Sequence, residues 1–224
     1  MRSILFTILF SLCAGLFAQS DVTKFLGIPI DGFKPDMIRS LESKGFVYDK
    51  QYDYLEGEFN GAQVNLYVVT NNNKVWRIMV CDKNHVSETS IKLRFNTLIQ
   101  QFKDNGKYIP LGENNDITDE EDLMYETTVN DKRYEAVFAQ VPTAIDTLSV
   151  QKQIAEKLEN KYGKEKLENP TEEITKEIAF EAYMYLLDEC KDRPVWFMIN
   201  NSYGQFYITM FYDNEKNKSK GEDL

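Results

Sequence analysis

Residues 55–81 read LEGEFNGAQVNLYVVTNNNKVWRIMVC, and this stretch decides the fold. Asn60-Gly61 is the strongest two-residue hairpin signal in the chain, and the asparagines at 71–73 turn the chain again. Apolar and polar residues alternate around both turns, as in strands that are buried on one face. The stretch therefore predicts an antiparallel meander of three strands, Leu55–Phe59, Gln63–Val69 and Lys74–Cys81. Alternation places Trp76, Ile78 and Val80 together on one face of the third strand.

Helical patterns flank the meander. Pro35 opens a short helix that ends before Gly45, because proline is favoured at the first helical position and glycine just past the last. Ser87 is a cap for a second helix, which ends near Gly106. The apolar residues of this second helix recur with the 3.6-residue period, and they are Ile91, Phe95, Leu98, Ile99 and Phe102.

The second half of the chain continues with strand and helix patterns. A hairpin is predicted from Leu123–Val129 and Arg133–Val141, and helices begin near Thr147 and Pro170. Strands at Val195–Asn200 and Gln205–Tyr212 follow, and the polar residues 214–224 predict a disordered tail. The sequence thus predicts one α+β domain over residues 21–213, in which helices pack on an antiparallel meander sheet. Two related halves, 25–106 and 107–213, are a further interpretation.

Two pairs of segments suggest an internal repeat. Leu55–Val69 resembles Tyr125–Phe138 in its hairpin pattern, and Val75-Trp76 resembles Val195-Trp196. Duplication would join two meanders into one long sheet with helices on one face. The alternative is that unrelated hairpins share asparagine turns and alternating apolar residues.

The first 20 residues, MRSILFTILFSLCAGLFAQS, have the features of a secretory signal peptide. Arg2 gives a positive start, a continuous apolar run follows, and Ala18 and Ser20 are small residues suited to cleavage. The run is short for a membrane helix, and no second apolar stretch approaches about 20 residues. The sequence therefore predicts export to the periplasm or the exterior of a bacterium. A lipid anchor at Cys13 is not expected, because Leu12 stands where a small residue is required.

Charge and composition exclude several classes of function. The net charge of −10, with no basic cluster, argues against binding to nucleic acid or anionic membranes. His85 is the only histidine, which excludes ordinary zinc sites and makes any Ser-His-Asp triad depend on it. No cofactor or metal is expected. The acidic loop 113–122 is a hypothetical calcium site, but it lacks the EF-hand spacing, and Thr118-Asp-Glu-Glu also has the pattern of a helix start.

Two cysteines remain after the predicted signal peptide, Cys81 and Cys190. In an oxidising compartment they can form a disulfide that closes a loop of about 100 residues, for which the chain-entropy model gives about 4–5 kcal/mol of stabilisation. Buried free thiols are the alternative. A catalytic thiol would need His85 as its partner, and no other feature supports that pairing.

Aromatic residues provide the remaining candidates for a binding site. Tyr203, Phe206 and Tyr207 cluster around the last predicted hairpin, and exposed aromatics on a sheet bind sugars by stacking or pack against a protein. The sequence predicts a non-catalytic module that binds an envelope protein or a glycan through a sheet face or this hairpin. The alternative is a small secreted hydrolase that uses paired carboxylates. Full burial of these aromatics beneath helices is a second alternative.

The segment 25–81 resembles a known type of exported module. It combines Phe-Leu-Gly-Ile-Pro-Ile-Asp-Gly at 25–32, a short helix with Leu41 and Gly45, and a meander that ends in Lys-Val-Trp-Arg-Ile at 74–78. This arrangement resembles the small α+β modules of the β-lactamase-inhibitor-protein type and of outer-membrane-assembly accessory lipoproteins. The resemblance implies that a sheet face binds a protein. It does not assign a role to any single residue.

Overall fold

A computed structural model describes residues 21–143 and 147–221 of the chain. Within these residues the chain forms six helices and ten strands. The helices are α1 (Lys34–Glu42), α2 (Glu88–Asp104), α3 (Leu123–Thr128), α4 (Thr147–Tyr162), α5 (Lys164–Glu168) and α6 (Glu172–Cys190). The strands are β1 (Lys24–Phe25), β2 (Ile28–Pro29), β3 (Val47–Asp49), β4 (Tyr54–Phe59), β5 (Ala62–Asn71), β6 (Lys74–Asp82), β7 (Tyr108–Pro110), β8 (Glu135–Gln140), β9 (Pro194–Ser202) and β10 (Gln205–Asp213).

Eight of the strands form one antiparallel sheet, and β1 and β2 form a separate two-stranded sheet. The order in the large sheet is β3-β4-β5-β6-β10-β9-β8-β7, so two runs of four strands meet where β6 pairs with β10. The predicted α+β class with a large antiparallel sheet is therefore confirmed. A helix precedes each run, α1 before β3 and α2 before β7. The strand order thus groups α2 with the second run, whereas the halves interpreted from the sequence divide after residue 106.

Three hairpins in the sheet turn through two residues that both have positive φ. The pairs are Asn60-Gly61, Asn72-Asn73 and Tyr203-Gly204, and such turns match the right-handed twist of the flanking strands. Asparagine and glycine adopt this conformation at little cost, which is why the meander at 55–81 was predictable. Tyr203 is the exception, since its φ of 51° places a bulky residue in the left-handed region.

This geometry predicts that replacing Tyr203 by asparagine stabilises the protein. The left-handed conformation costs an ordinary L-residue about 1–2 kcal/mol, and asparagine recovers part of that cost. We expect Tyr203→Asn to raise the free energy of unfolding by about 0.5–1 kcal/mol, measured by urea denaturation. Tyr203→Ala is the control, because it removes the same ring without supplying a residue that favours positive φ. Equal stability of the two variants would contradict the prediction.

The hydrophobic core lies between the large sheet and the helices α1 and α2. The whole predicted stripe of α2 is buried, and the ring of Phe95 meets that of Phe197 from β9 at a centroid distance of 5.2 Å. From α1, Met37 and Leu41 are buried against the first run of strands. The hydroxyl of Ser87 accepts a hydrogen bond from the backbone N–H of Ser90, as the sequence predicts for a helix cap.

A bulge in β6 changes the predicted face of Trp76. Val69 of β5 pairs with Arg77 and Thr70 pairs with Val75, so Trp76 is left without a partner on β5. Ile78 is buried on the helix side, whereas Trp76 lies beside the Arg77 guanidinium at 4.4 Å from its ring centroid. The prediction that Trp76 shares a face with Ile78 and Val80 was wrong, because the extra residue interrupts the alternation.

The segment predicted as the strand Leu123–Val129 forms the helix α3 instead. The carboxylate of Asp122 accepts a hydrogen bond from the N–H of Tyr125 at 2.8 Å, and Glu88 accepts one from the N–H of Leu123 at 3.0 Å. Two carboxylates thus accept hydrogen bonds from N–H groups of the first turn. The local alternation of residues could not reveal the contribution of Glu88, which lies 35 residues away.

The hairpin comparison with Tyr125–Phe138 therefore fails. The two Val-Trp pairs lie on β6 and β9, which flank β10, so strand order does not make them equivalent.

The first part of the predicted disordered tail packs against the domain. Asn214 is buried and donates a hydrogen bond to the carbonyl of Ile30 at 2.7 Å. Asn217 donates to the carbonyl of Val75 at 2.9 Å. The sequence predicts disorder from residue 214, whereas these two amides connect the first part of the segment to backbone carbonyls of the domain.

The predicted signal peptide, residues 1–20, and the last residues, 222–224, lie outside the described residues. Among the helices that the structure describes, none is long and apolar enough to cross a membrane.

Candidate functional site

The large sheet has one face beneath α1 and α2 and one face directed away from them, which we call the open face. Alternation along the strands decides which residues lie there, because the neighbours of the buried Leu66, Val80 and Met210 point the other way. The open face presents Tyr54, Glu56, Asn65, Tyr67, Arg77, Met79, Cys81, Trp196, Met198, Asn200, Tyr207, Thr209, Phe211 and Asp213.

The register aligns five of these residues in one line across the strands. Tyr67 pairs with Met79, Met79 with Phe211, and Phe211 with Trp196. Tyr54 continues the line on β4, with its ring centroid 5.8 Å from that of Tyr67. Phe211 is buried and the other four side chains are partly exposed. We call Tyr54, Tyr67, Met79, Phe211 and Trp196 the aromatic row.

A paired arginine fixes one end of the aromatic row. The Arg77 guanidinium donates two hydrogen bonds to the Asp213 carboxylate, each of 2.6 Å, and its carbon lies 4.7 Å from the Phe211 centroid. The indole N–H of Trp196 donates to the same carboxylate at 3.2 Å, and its ring stacks on Phe211 at 3.9 Å. Because the Trp196 ring is held by a hydrogen bond and by stacking, its exposed edge keeps one orientation.

Polar groups border the other end of the row. Lys83 donates a hydrogen bond to Glu56 at 2.8 Å and Tyr54 donates one at 3.0 Å, and these bonds lower the pKa of the Glu56 carboxyl. The same bond to Glu56 raises the pKa of the Tyr54 hydroxyl. Next to them, Oδ1 of Asn65 is buried with no hydrogen-bond partner among the described residues. The border therefore combines a fixed carboxylate with an unsatisfied acceptor.

The three aromatic residues predicted at the last hairpin are placed in three different environments. Tyr203 at the turn is fully exposed. Tyr207 lies on the open face, where its ring stacks on His85 at a centroid distance of 4.7 Å. Phe206 is only 1% exposed and belongs to the core beneath the helices. The prediction that Phe206 contacts a ligand is therefore corrected, because alternation directs it away from Tyr207.

Both cysteines are free thiols in the structure. Cys81 pairs with Thr209 on β10. Cys190 is the last residue of α6, and the strand that follows it, β9, pairs Val195 with Tyr212 near the C-terminal end of β10. The structure thus does not bring the predicted disulfide together. Burial raises the pKa of each thiol. A protonated thiol is a poor nucleophile, so neither cysteine has the environment of a catalytic one.

The acidic loop 113–122 is fastened to its neighbours through its own polar groups. Asn114 exchanges two hydrogen bonds of 2.8 Å with the backbone of Val137, and the N–H of Ile117 donates to Asn96. The amide oxygen of Asn114 is therefore already occupied. Among the described residues, no group of three or more His, Cys, Asp or Glu side chains is arranged to hold a metal ion.

The sequence predicts binding through a sheet face or the last hairpin, but only hairpin residues were named, although part of the signal of the open face is in the sequence. Tyr54, Tyr67 and Met79 occupy the strand positions between core residues, where polar side chains are usual. That pattern indicates a second apolar face. Their alignment with Phe211 and Trp196 depends on the pairing of β6 with β10, which no local pattern specifies.

The fold and the open face define the class of this protein as an α+β domain with one eight-stranded antiparallel sheet, the helices α1 and α2 on one face and an aromatic row on the other. Comparison of the chain with protein-family models, with curated proteins and with solved structures found no match. The resemblance to inhibitor-type modules stays a prediction.

Proposed function

We propose that this chain is an exported, non-catalytic binding module whose open face docks on a protein partner. The observation that carries the proposal is the aromatic row, which crosses β4, β5, β6, β10 and β9 on the face opposite α1 and α2. Tyrosine, tryptophan and methionine are enriched in the cores of protein interfaces. Tyrosine and tryptophan are also the residues that most often dominate binding energy.

The shape of the open face favours a protein over a small ligand. Five strands at the usual spacing of about 4.8 Å make the row ~19 Å wide. Two cavities of about 770 and 670 Å³ lie around Tyr108 and Tyr212, on the helix side of the sheet and away from the open face. Small ligands bind in concave sites, whereas a broad sheet face with fixed rings suits a second surface.

The ionisable groups favour binding over catalysis. Each described carboxyl group with a resolved pKa shift has a lowered pKa, and in each case the first cause is a hydrogen bond from a lysine or arginine. A glycosidase-type general acid needs the opposite, a carboxyl group with a raised pKa. These carboxylates form ion pairs with lysine and arginine side chains. They therefore do not support the alternative of a hydrolase that uses paired carboxylates.

The test compares one variant of the row with a matched control. Tyr67→Ala/Met79→Ala removes two partly exposed residues from the row. Tyr125→Ala/Met184→Ala removes the same two side-chain types from exposed positions on α3 and α6. Each tagged protein, expressed from its full sequence, is incubated with envelope extract, and retained proteins are quantified by mass spectrometry. The retained partner is then purified, and its affinity for each variant is measured by surface plasmon resonance.

We expect the row variant to weaken binding of that partner by about 30-fold or more, which corresponds to the loss of one interface hot spot. The control should bind like the wild-type protein. Circular dichroism checks that both variants remain folded. A partner that binds the row variant with unchanged affinity would overturn the role of the open face. Retention of a glycan instead of a protein would change the class of partner.

A further inference from the structure

Two large cavities lie on the helix side of the sheet, away from the open face. One encloses about 770 Å³ and is lined by Tyr108, Tyr212, Phe59, Gln140, Lys24 and Lys107, among others. We call it the Tyr108 cleft. A second cavity of about 670 Å³ shares Tyr108, Tyr212 and Phe59 with it and continues towards the ends of α1 and α2. Both volumes are in the range of pockets that hold small organic ligands.

The floor of the Tyr108 cleft leaves a hydrogen-bond donor available. Tyr212 is fully buried, and its hydroxyl group shares a hydrogen bond with that of Tyr108; burial raises the pKa of both phenols, so both stay protonated. Nε2 of Gln140 donates to the same Tyr108 oxygen at 3.4 Å. The two phenols carry two O–H protons and share one hydrogen bond, so one proton of the pair is left to donate elsewhere.

The charged side chains that line the cleft have the opposite sign to the net charge of the whole chain. Lys24 and Lys107 line it, and the described part of its lining contains no carboxylate. The adjoining cavity adds Lys44 and Glu58. The C-terminal ends of α1 and α2 also face this region, and each contributes about half a negative charge. Among the described residues that line the two cavities, three lysines thus outweigh one carboxylate and two helix ends, in a chain of net charge −10.

We propose that the Tyr108 cleft binds a small carboxylate with an apolar body. The lysines and the Tyr108–Tyr212 hydroxyl pair supply donors for the carboxylate, and Phe25 and Phe59 supply an apolar wall with ring centroids 5.1 Å apart. This site lies on the opposite face of the sheet from the aromatic row. Its ligand is therefore independent of the partner proposed for the open face.

The test uses three probes that share a ten-carbon chain and differ in charge. Isothermal titration calorimetry of the protein, expressed from its full sequence, is performed with decanoate and decyltrimethylammonium below their micelle concentrations and with decanol below its solubility limit. We expect saturable one-to-one binding of decanoate that weakens as salt is added, and no binding of the cation. Equal binding of the cation, or no binding of decanoate at millimolar concentration, would overturn the proposal.

Two variants locate the site. Lys24→Ala/Lys107→Ala should weaken decanoate binding by about threefold to tenfold, and Lys164→Ala/Lys166→Ala, which removes two exposed lysines of α5, should not change it. Gly106→Phe should abolish binding, because no heavy atom lies within 4 Å of the position of a Cβ there and the ring can occupy the cleft. Decanoate binding that survives both cleft variants would place the ligand elsewhere. The Tyr67→Ala/Met79→Ala variant should bind decanoate normally, which separates this proposal from the first.

Discussion

Replacing Asp213 by alanine should lower the free energy of unfolding by about 3 kcal/mol. The Asp213 side chain is 2% exposed and receives both hydrogen bonds of the Arg77 guanidinium and one from the Trp196 indole. Removal of one partner from a buried ion pair leaves the other charge unpaired, which costs about 3–5 kcal/mol. We expect the lower end of this range, because Arg77 is still 20% exposed and keeps its contacts with the Trp76 and Phe211 rings.

The control for Asp213 is a second Arg–Asp pair of the same chain. Arg39 and Asp36 form an ion pair on α1 in which both side chains are more than half exposed. Such pairs contribute about 0–1 kcal/mol, so Asp36→Ala should change the stability little. Urea denaturation of both variants measures the difference. Similar losses of unfolding free energy for Asp213→Ala and Asp36→Ala would show that the Arg77–Asp213 pair does not stabilise the aromatic row.

Asp213→Ala should also change the tryptophan fluorescence of the folded protein. The chain has two tryptophans, Trp76 and Trp196, and both rings lie near the Arg77 guanidinium, at 4.4 and 5.5 Å. Loss of Asp213 removes the acceptor of the Trp196 N–H and frees that ring. The stability of the pair is therefore linked to the shape of the surface that we propose for partner binding.

Much of the fold was predictable because the signals involve residues that lie close together in the sequence. Asn60-Gly61 favours positive φ in isolation, and Ser87 caps a helix three residues from the group that it bonds. The stripe of α2 repeats within one element, so it can be detected without knowledge of the sheet. These signals are local, and each of them was confirmed.

The features that could not be predicted depend on distant partners. Leu123–Val129 alternates like a strand, but Glu88 and Asp122 cap it as a helix. Trp76 changes face because β6 contains one residue more than β5 over the same span. The aromatic row requires β6 to pair with β10, about 130 residues later in the chain. Tertiary pairing thus decided these positions, and no local propensity encodes it.

Phe206 and Tyr207 are adjacent residues that should respond to substitution in opposite ways. Phe206 is 1% exposed in the core, so Phe206→Ala should lower the free energy of unfolding by about 3–5 kcal/mol through lost burial and a cavity. Tyr207 is partly exposed on the open face and stacks on an exposed His85. Tyr207→Ala should cost less than about 1 kcal/mol, because its ring already contacts water.

Binding measurements on the same two variants test which face of the last hairpin contacts the partner. Tyr207→Ala should keep its stability and lose affinity for the partner of the open face, whereas Phe206→Ala should affect binding only through the fraction of unfolded protein. Urea denaturation gives that fraction, and surface plasmon resonance at a temperature where both variants are folded gives the affinity. A folded Phe206→Ala variant that binds far more weakly than Tyr207→Ala would mean that the strand exposes its other face to the partner. The register of β10 with β6 and β9 would then differ by one residue from the one described, since a shift of one residue moves every side chain of a strand to the opposite face.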